Sequence, residues 1–329
     1  IAGLTLGGGL GALRRKYGLT IDNLLSVELV TANGEVLTAS ESENADLFWG
    51  IRGGGGNFGV VTSFEFRLHP VGPMVTQCML WYPIEAARDL LPKWRDFMAT
   101  TPEDFSCNAI FWTIPPVPDF PAELHLKRFV GFVGVHLGTV EEGMVLTQTL
   151  EHKLGTPMVN LSGPIPWVIF QQAFDAFLPK GQRMYYFKSR LLKTLDNATL
   201  EAVASRAANP PSPFVLVVLW TFSGAMQRVS NDATAFMGRD AACLLSVDGI
   251  WDDPADSEQV IAYARRFLAE MEPYSPGGLY VNFAGFGEEG ESLVKAAYGA
   301  HYERLVALKN KYDPTNLFRL NQNIKPSVS

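Results

Sequence analysis

Cysteine is scarce in this sequence: three in 329 residues, at Cys78, Cys107 and Cys243. An odd number at wide spacing excludes a disulfide framework and a cysteine-built metal site, so the three read as buried thiols. The five histidines are equally scattered, at His69, His125, His136, His152 and His301. They form no HxH or HExxH pair, and no metal centre is expected. Charged residues make up only 19%, with an acidic excess of −7. The densest basic cluster, Arg14-Arg15-Lys16, is too short to follow a phosphate backbone and reads as a solvated helix face; no nucleic-acid partner is expected. Nor does any apolar run reach the roughly 18 residues of a membrane-spanning helix, so no membrane partner is expected. Hydrophobic residues, at 47%, suffice for a large core, and the length gives a prior of about two domains.

What the sequence does have is clustered glycine. The chain opens on "IAGLTLGGGLGALRRKYG", and fifty residues later comes "WGIRGGGGNFGVVTSFEF". Each such glycine costs about 1 kcal/mol of backbone entropy relative to alanine, so something must offset the run. Two readings stand. Bare main-chain amides can lie against a flat or extended ligand, or the glycines can allow a tight crossing of packed elements. "GGGLG" entering a helix also resembles a phosphate cradle, although no strand precedes it here.

Around these clusters the pattern predicts a short helix over 9–17, stopped by Gly18. A β-hairpin follows, turning on Asn33-Gly34. A helix from Ser42 as N-cap should run into the second glycine run, and a strand should follow, alternating at Phe64, Phe66 and Leu68. The Pro-rich break at 69–73 is read as a domain boundary. Beyond it, "MVTQCMLWYP", "HLKRFVGFVGVHLG", "QRMYYFKSRLL", "FVLVVLWTFSG" and "DAACLLSVDGIW" read as strands. The segments from Pro83, Val140, Asn197 and Ser257 read as helices, giving a sheet backed by helices. "LYVNFAGF" reads as a last strand, followed by one helix to Tyr312 and a tail, "DPTNLFRLNQNI", that packs back on the body.

Three long motifs, "IAGLTLGGGLGALRRKYGLTIDNLLSVELVTANGEVL", "DLFWGIRGGGGNFGVVTSFEFRLHPV" and "YDPTNLFRLNQNI", occur in order near the two ends of the chain. Together they resemble the berberine-bridge-enzyme-like branch of the vanillyl-alcohol oxidase / p-cresol methylhydroxylase superfamily. The resemblance implies an α+β, two-domain fold. Residues 1–73 would be the C-terminal part of an FAD-binding domain. Residues 74–278 would be an α/β substrate domain with a large, mainly antiparallel sheet backed by helices, and 279–329 a berberine-bridge-type segment returning to the FAD domain.

The resemblance further implies FAD as cofactor. Gly7, Gly8, Gly9 and Gly11 would lie against it and Asn23 near it. Gly59, Val60 and Val61 would meet its adenosine half, and Asn321 and Asn323 would make polar contacts; a turn or cap role is the alternative for each asparagine. Tyr280 would face the substrate as general base, its pKa of about 10 lowered by hydrogen bonds, with Asn282 placing ring or substrate; Tyr280 as plain sheet packing is the alternative. Tyr185, Tyr186, Lys188 and Trp220 could line the substrate pocket. By alternation, Tyr185 and Phe187 share one face of their strand, Tyr186 and Lys188 the other. The implied reaction takes hydride from an alcohol or activated C–H bond of a small molecule (a sugar, a polyphenol or aromatic alcohol, or a secondary metabolite), with O₂ as acceptor.

Members of the branch carry, ahead of the matched residues, a glycine-rich pyrophosphate loop and the histidine and cysteine that bond covalently to flavin. Neither attachment residue is present here, so the expectation is a piece of a longer protein. The alternative is a truncated, flavin-free fragment with a binding or hydrolytic role on the substrate domain. Its uncovered apolar surface would favour a homo-oligomer, but no GxSxG motif supports a serine hydrolase.

Overall fold

The computed structural model describes residues 1–118, 120–285, 290–320 and 322–327. They divide into two compact units: residues 1–69, 222–240 and 277–329 form the first, and 70–221 with 241–276 the second. The break therefore falls at His69/Pro70. Residues 222–240, expected in the substrate domain, belong to the first unit.

The first unit carries a three-stranded antiparallel sheet, β1 (Leu24–Val30), β2 (Val36–Ser40) and β3 (Val60–Phe66), in the order β2-β1-β3. Asn33-Gly34 makes the β1–β2 turn, with Gly34 at φ +83° and Val30 paired with Val36. Val27 and Leu29 of β1 pack with Leu47, Phe48 and Ile51 of the helix Ala45–Ile51, and with Leu305 and Leu308 of the helix Tyr302–Tyr312. In the latter helix Leu305, Leu308, Lys309 and Tyr312 are buried, the spacing of one helical face.

Lys309 is thus a cation on an apolar face, and its ammonium is fully engaged. It donates to Asp313 Oδ2 at 2.6 Å, to the Asn57 carbonyl at 3.0 Å and to the Phe318 carbonyl at 2.8 Å. Asp313 in turn accepts from the amides of Leu317 and Phe318. The Asn57 side chain donates to the carbonyls of Gly54 and Gln322 and accepts from Ile324 N. One buried ion pair therefore ties the second glycine run to the C-terminal tail.

In the second unit the strands are β4 (Met74–Pro83), β5 (Phe105–Thr113), β6 (Arg128–His136), β7 (Val159–Asn160), β8 (Gly163–Pro166), β9 (Met184–Leu192), β10 (Leu216–Thr221) and β11 (Cys243–Trp251). Their order is β7-β4-β6-β5-β10-β11-β9 with β8 on β4, and the pairings are antiparallel. Four helices, Ala87–Met98, Val140–Leu154, Asn197–Ala207 and Ser257–Glu270, bury their apolar sides in one core on one face of this sheet. Ala87, Leu90, Leu91, Trp94 and Phe97 set the first of them on Phe132 and Phe105. Capping by Thr139 and Asp196 starts the second and third. The opposite face carries a smaller aromatic cluster around Trp81, Trp112, Phe120 and Phe129. Cys78, Cys107 and Cys243 are buried free thiols.

Several local expectations change. The helix over 9–17 shrinks to Arg14–Tyr17 after the positive φ of Gly8 and Gly9. It is not a solvated face: Arg14 and Arg15 are buried, Arg14 Nη1 donating to the Gly11 carbonyl and Arg15 Nε to Ser223 Oγ. Asn44, left-handed at φ +46°, replaces Ser42 at the next helix start. The described part of "LYVNFAGF", residues 279–285, is no strand: Val281–Phe283 is a single 3₁₀ turn. The C-terminal helix breaks at Gly299, φ +47°. Strand β5 is additional to those expected; like β6 and β11 it is buried on both faces and shows no alternation.

Removing a buried cation leaves its carboxylate uncompensated. Lys309→Ala is expected to cost about 3–5 kcal/mol, read as a drop in the urea midpoint; an unchanged midpoint would contradict the role given to the pair.

Candidate active site

The residues expected at the reaction centre meet in the first unit around the hydroxyl of Tyr280, whose side chain is 4% exposed. Main-chain N–H groups of Gly9 and Leu10 donate to Tyr280 Oη at 3.1 and 3.4 Å. Asn282 Nδ2 donates to the same oxygen at 2.7 Å and to the Leu4 carbonyl at 3.2 Å. The ring stands edge-on to Phe236 and Phe283. Two successive amides can face one oxygen because the chain is left-handed at Gly9, φ +82°. Three donors converging on a phenol stabilise negative charge there, but burial outweighs them. The phenol is raised above its ordinary value. The expectation of a lowered pKa is therefore reversed: Tyr280 is neutral through the physiological range.

The glycines are explained mostly by protein neighbours. A Cβ at Gly7 would overlap the Asn282 amide, one at Gly8 would stand 2.6 Å from the Phe236 ring, and one at Gly9 would overlap Thr20. Gly54 would strike the Gly50 carbonyl and Gly59 the Val30 carbonyl at 2.7 Å. Tight crossing thus accounts for these positions. Gly11 differs, with only Leu13 N as near as 4.0 Å.

Asn23 is a turn residue. Its Nδ2 donates to the carbonyls of Tyr17 and Leu19, and its Oδ1 pairs with His69 Nε2 at 2.6 Å while His69 stacks on Tyr17. Val60 and Val61 lie in β3 beside β1, Val60 exposed and Val61 half-buried. Asn321 lies outside the described residues. Asn323 Oδ1 is buried without a hydrogen-bond partner among the described residues, as is the hydroxyl of Tyr298. Tyr298 lines, with Gly7, Gly53 and Phe236, a void of about 10 Å³, room for one water. Neither Tyr298 nor Phe236 stood out in the sequence; only the fold brings them to the glycines.

In the second unit the four pocket candidates separate. Tyr186 and Lys188 lie on the helix-covered face: Tyr186 is in the core, and its hydroxyl accepts from Arg265 Nε at 2.9 Å. Burial, then Arg265 and Arg190, push Lys188 down to about 8. Tyr185 and Trp220 occupy the opposite face, at the rows of Ile250 and Leu244. Those rows are about 20 Å apart along the strand, so the two do not share a wall. Between them is a group that sequence reading passed over, the one carboxyl inside "CLLSVDGIW". Asp248 Oδ2 accepts from Ser246 Oγ at 3.4 Å, Ser246 accepts from Trp220 Nε1 at 3.0 Å, and Asp248 Oδ1 has no partner among the described residues. Burial, only partly offset by Ser246, lifts the acid to about 7. No group of three or more metal-binding side chains and no helix able to cross a membrane occurs among the described residues.

Comparison with known proteins gives the family. The "FAD binding domain" family model matches residues 1–40, and the "Berberine and berberine like" model matches 279–325, the segment bearing Tyr280 and Asn282. An FAD-linked oxidoreductase of Dictyostelium discoideum is 30% identical over 330 residues, covering 99% of this chain and 68% of that protein. The chain belongs to the berberine-like FAD-linked oxidoreductases. A second member, from Aspergillus terreus, is 31% identical over 95% of this chain and 66% of its own length, so the chain spans about two thirds of these relatives. Among solved structures the fold matches BBE-like #28 from Arabidopsis thaliana (TM-score 0.83, 24% identity, 99% of this chain and 71% of that one). It also matches a berberine bridge enzyme variant described as a reticuline dehydrogenase (TM-score 0.83, 24% identity, 100% and 70%).

FAD is the cofactor of this family, and the first unit fits it in kind. Asn323 Oδ1 is a buried polar atom that the described protein leaves unsatisfied, and the side of Gly11 where a Cβ would stand is open.

The raised Asp248 gives a sign that can be checked. Folding favours its neutral form, a contribution present below pH 3.8 and lost as pH rises through about 7. Asp248→Asn, neutral at every pH, should match the parent near pH 4 and exceed it at pH 8 by a few kcal/mol, roughly 1.4 per pKa unit. Urea unfolding at both values measures this, and an equal difference at both would contradict it.

Proposed function

We propose that the protein oxidises a small molecule bearing a hydroxyl or activated C–H bond, of the sugar, aromatic-alcohol or secondary-metabolite classes, with O₂ as final acceptor. Family membership supports the redox chemistry. Two structural neighbours illustrate the range, one described as a reticuline dehydrogenase and another, Phl p 4, as a glucose dehydrogenase. The observation that carries the reading is the Tyr280 hydroxyl fixed by the Gly9 and Leu10 amides and by Asn282.

Bound FAD would supply the two-electron acceptor. Gly11, Asn323 and the main chain of Val60–Val61 are the residues proposed to hold it. Tyr280 is the proton-handling residue. Its oxygen keeps its proton at neutral pH, and when that proton leaves, the two amides and the Asn282 amide stabilise the charge with no reorganisation. Asn282 is a positioning residue, because its second bond, to Leu4, fixes the amide that meets Tyr280. Gly7 must lack a Cβ for that amide to fit.

The test uses the full-length holoprotein: anaerobic substrate should bleach the visible flavin absorbance, and O₂ should restore it with release of H₂O₂. Tyr280→Phe should lower kcat about 100-fold with KM nearly unchanged. The parent rate should still rise with pH up to about 10, since burial raises the phenol above that value, and the limb should vanish in the variant. A Tyr280→Phe enzyme with the parent's kcat and pH profile would remove Tyr280 from the chemistry.

A further inference from the structure

The second unit contains a cavity of about 390 Å³ whose lining comes entirely from that unit, at the end of the sheet where β5 leaves and β10 begins. The volume lies within the range of small-molecule sites. Part of its wall is aromatic, the rest mainly proline and aliphatic: Trp112 is edge-on to Phe177 at 4.9 Å and to Phe174 at 6.0 Å, and Phe214 also lines it. Leu216 and Ile250 are also among the lining residues. Flat rings of this kind accept a flat ring between them.

Arg183 is the one charged side chain among the described lining residues. Its guanidinium lies 3.8 Å from the centre of the Phe214 ring. Nε donates to Asp252 Oδ1 at 3.0 Å and Nη1 to the Phe177 carbonyl at 3.2 Å. Nη2 makes no hydrogen bond among the described residues. The guanidinium is therefore held in plane by a ring, a carbonyl and one carboxylate, and still has an unused donor edge. Arg183 is 23% exposed and its partner Asp252 55%, so the partner is largely hydrated while the cation is mostly covered. A mostly covered cation with only a hydrated counter-ion favours an anionic ligand able to accept a directed bond.

We propose that this cavity binds a planar aromatic carboxylate, its ring between Trp112, Phe177 and Phe214 and its carboxylate on Arg183 Nη2. None of Tyr185, Tyr186, Lys188 or Trp220 lines it. The proposal does not rest on the oxidation reading, because binding alone decides it.

Titration calorimetry of the full-length holoprotein with 2-naphthoate and with neutral 2-naphthamide tests the assignment. Naphthoate should bind at least tenfold tighter than the amide. Arg183→Met should abolish that preference while changing amide affinity less than twofold, and Phe214→Leu should weaken both. Should Arg183→Met fail to fold, Asp252→Asn keeps the test open. It changes only a largely exposed carboxylate, leaves the cation and should tighten naphthoate severalfold. Equal affinity for the two probes, no binding of either at millimolar concentration, or unchanged naphthoate affinity in Asp252→Asn would each overturn the proposal.

Discussion

The first unit is organised by one hydroxyl accepting hydrogen bonds from two consecutive main-chain amides 270 residues away in sequence. Gly8 and Gly9 adopt backbone shapes that cost entropy and stabilise nothing by themselves. The amides they turn inward would be buried donors without acceptors, a loss of about 1–3 kcal/mol each. Tyr280 Oη is the acceptor, and Asn282 holds it there. The same geometry that completes the fold leaves a phenol whose negative form is stabilised on three sides, while burial keeps its resting form neutral. Structure and proposed chemistry share these atoms.

A second constraint works at a distance from the first. The Lys309–Asp313 pair is wholly buried, which is unfavourable for two charges unless every donor and acceptor is matched. Here the ammonium has a carboxylate and two carbonyls, and the carboxylate has two further amides. The match fixes Asn57, and Asn57 fixes the tail through Gln322 and Ile324. Asn323, lying between them, thereby keeps an unsatisfied oxygen within the unit. Lys309 thereby holds the tail in place through Phe318 and Asn57.

Much of the fold was legible because it depends on local pattern. The Asn33-Gly34 hairpin, the four helices of the second unit and the alternation of Tyr185 with Tyr186 follow from turn chemistry and period. The glycines were harder to read. A sequence shows that Gly7 and Gly9 lack side chains but not what takes the room, and the occupants, Asn282 and Thr20, are set by tertiary packing. Alternation put Tyr186 and Lys188 on one face, yet nothing local says that helices cover it. Two features were open to reading. The i, i+4 spacing of Lys309 and Asp313 on an apolar helix face marks a buried pair, and a single carboxyl within "CLLSVDGIW" marks a perturbed acid. Phe236 and Tyr298 gave no local signal.

The account turns on whether the Tyr280 hydroxyl holds the Gly9 and Leu10 amides. Site-resolved amide hydrogen exchange, comparing the parent with Tyr280→Phe, measures that directly. Protection at these two amides should fall at least tenfold in the variant, while the amide of Thr20, bonded to the Gly9 carbonyl, changes much less. Equal protection of Gly9 and Leu10 in both proteins would mean that the turn holds its own shape, and the central role given to Tyr280 would be wrong.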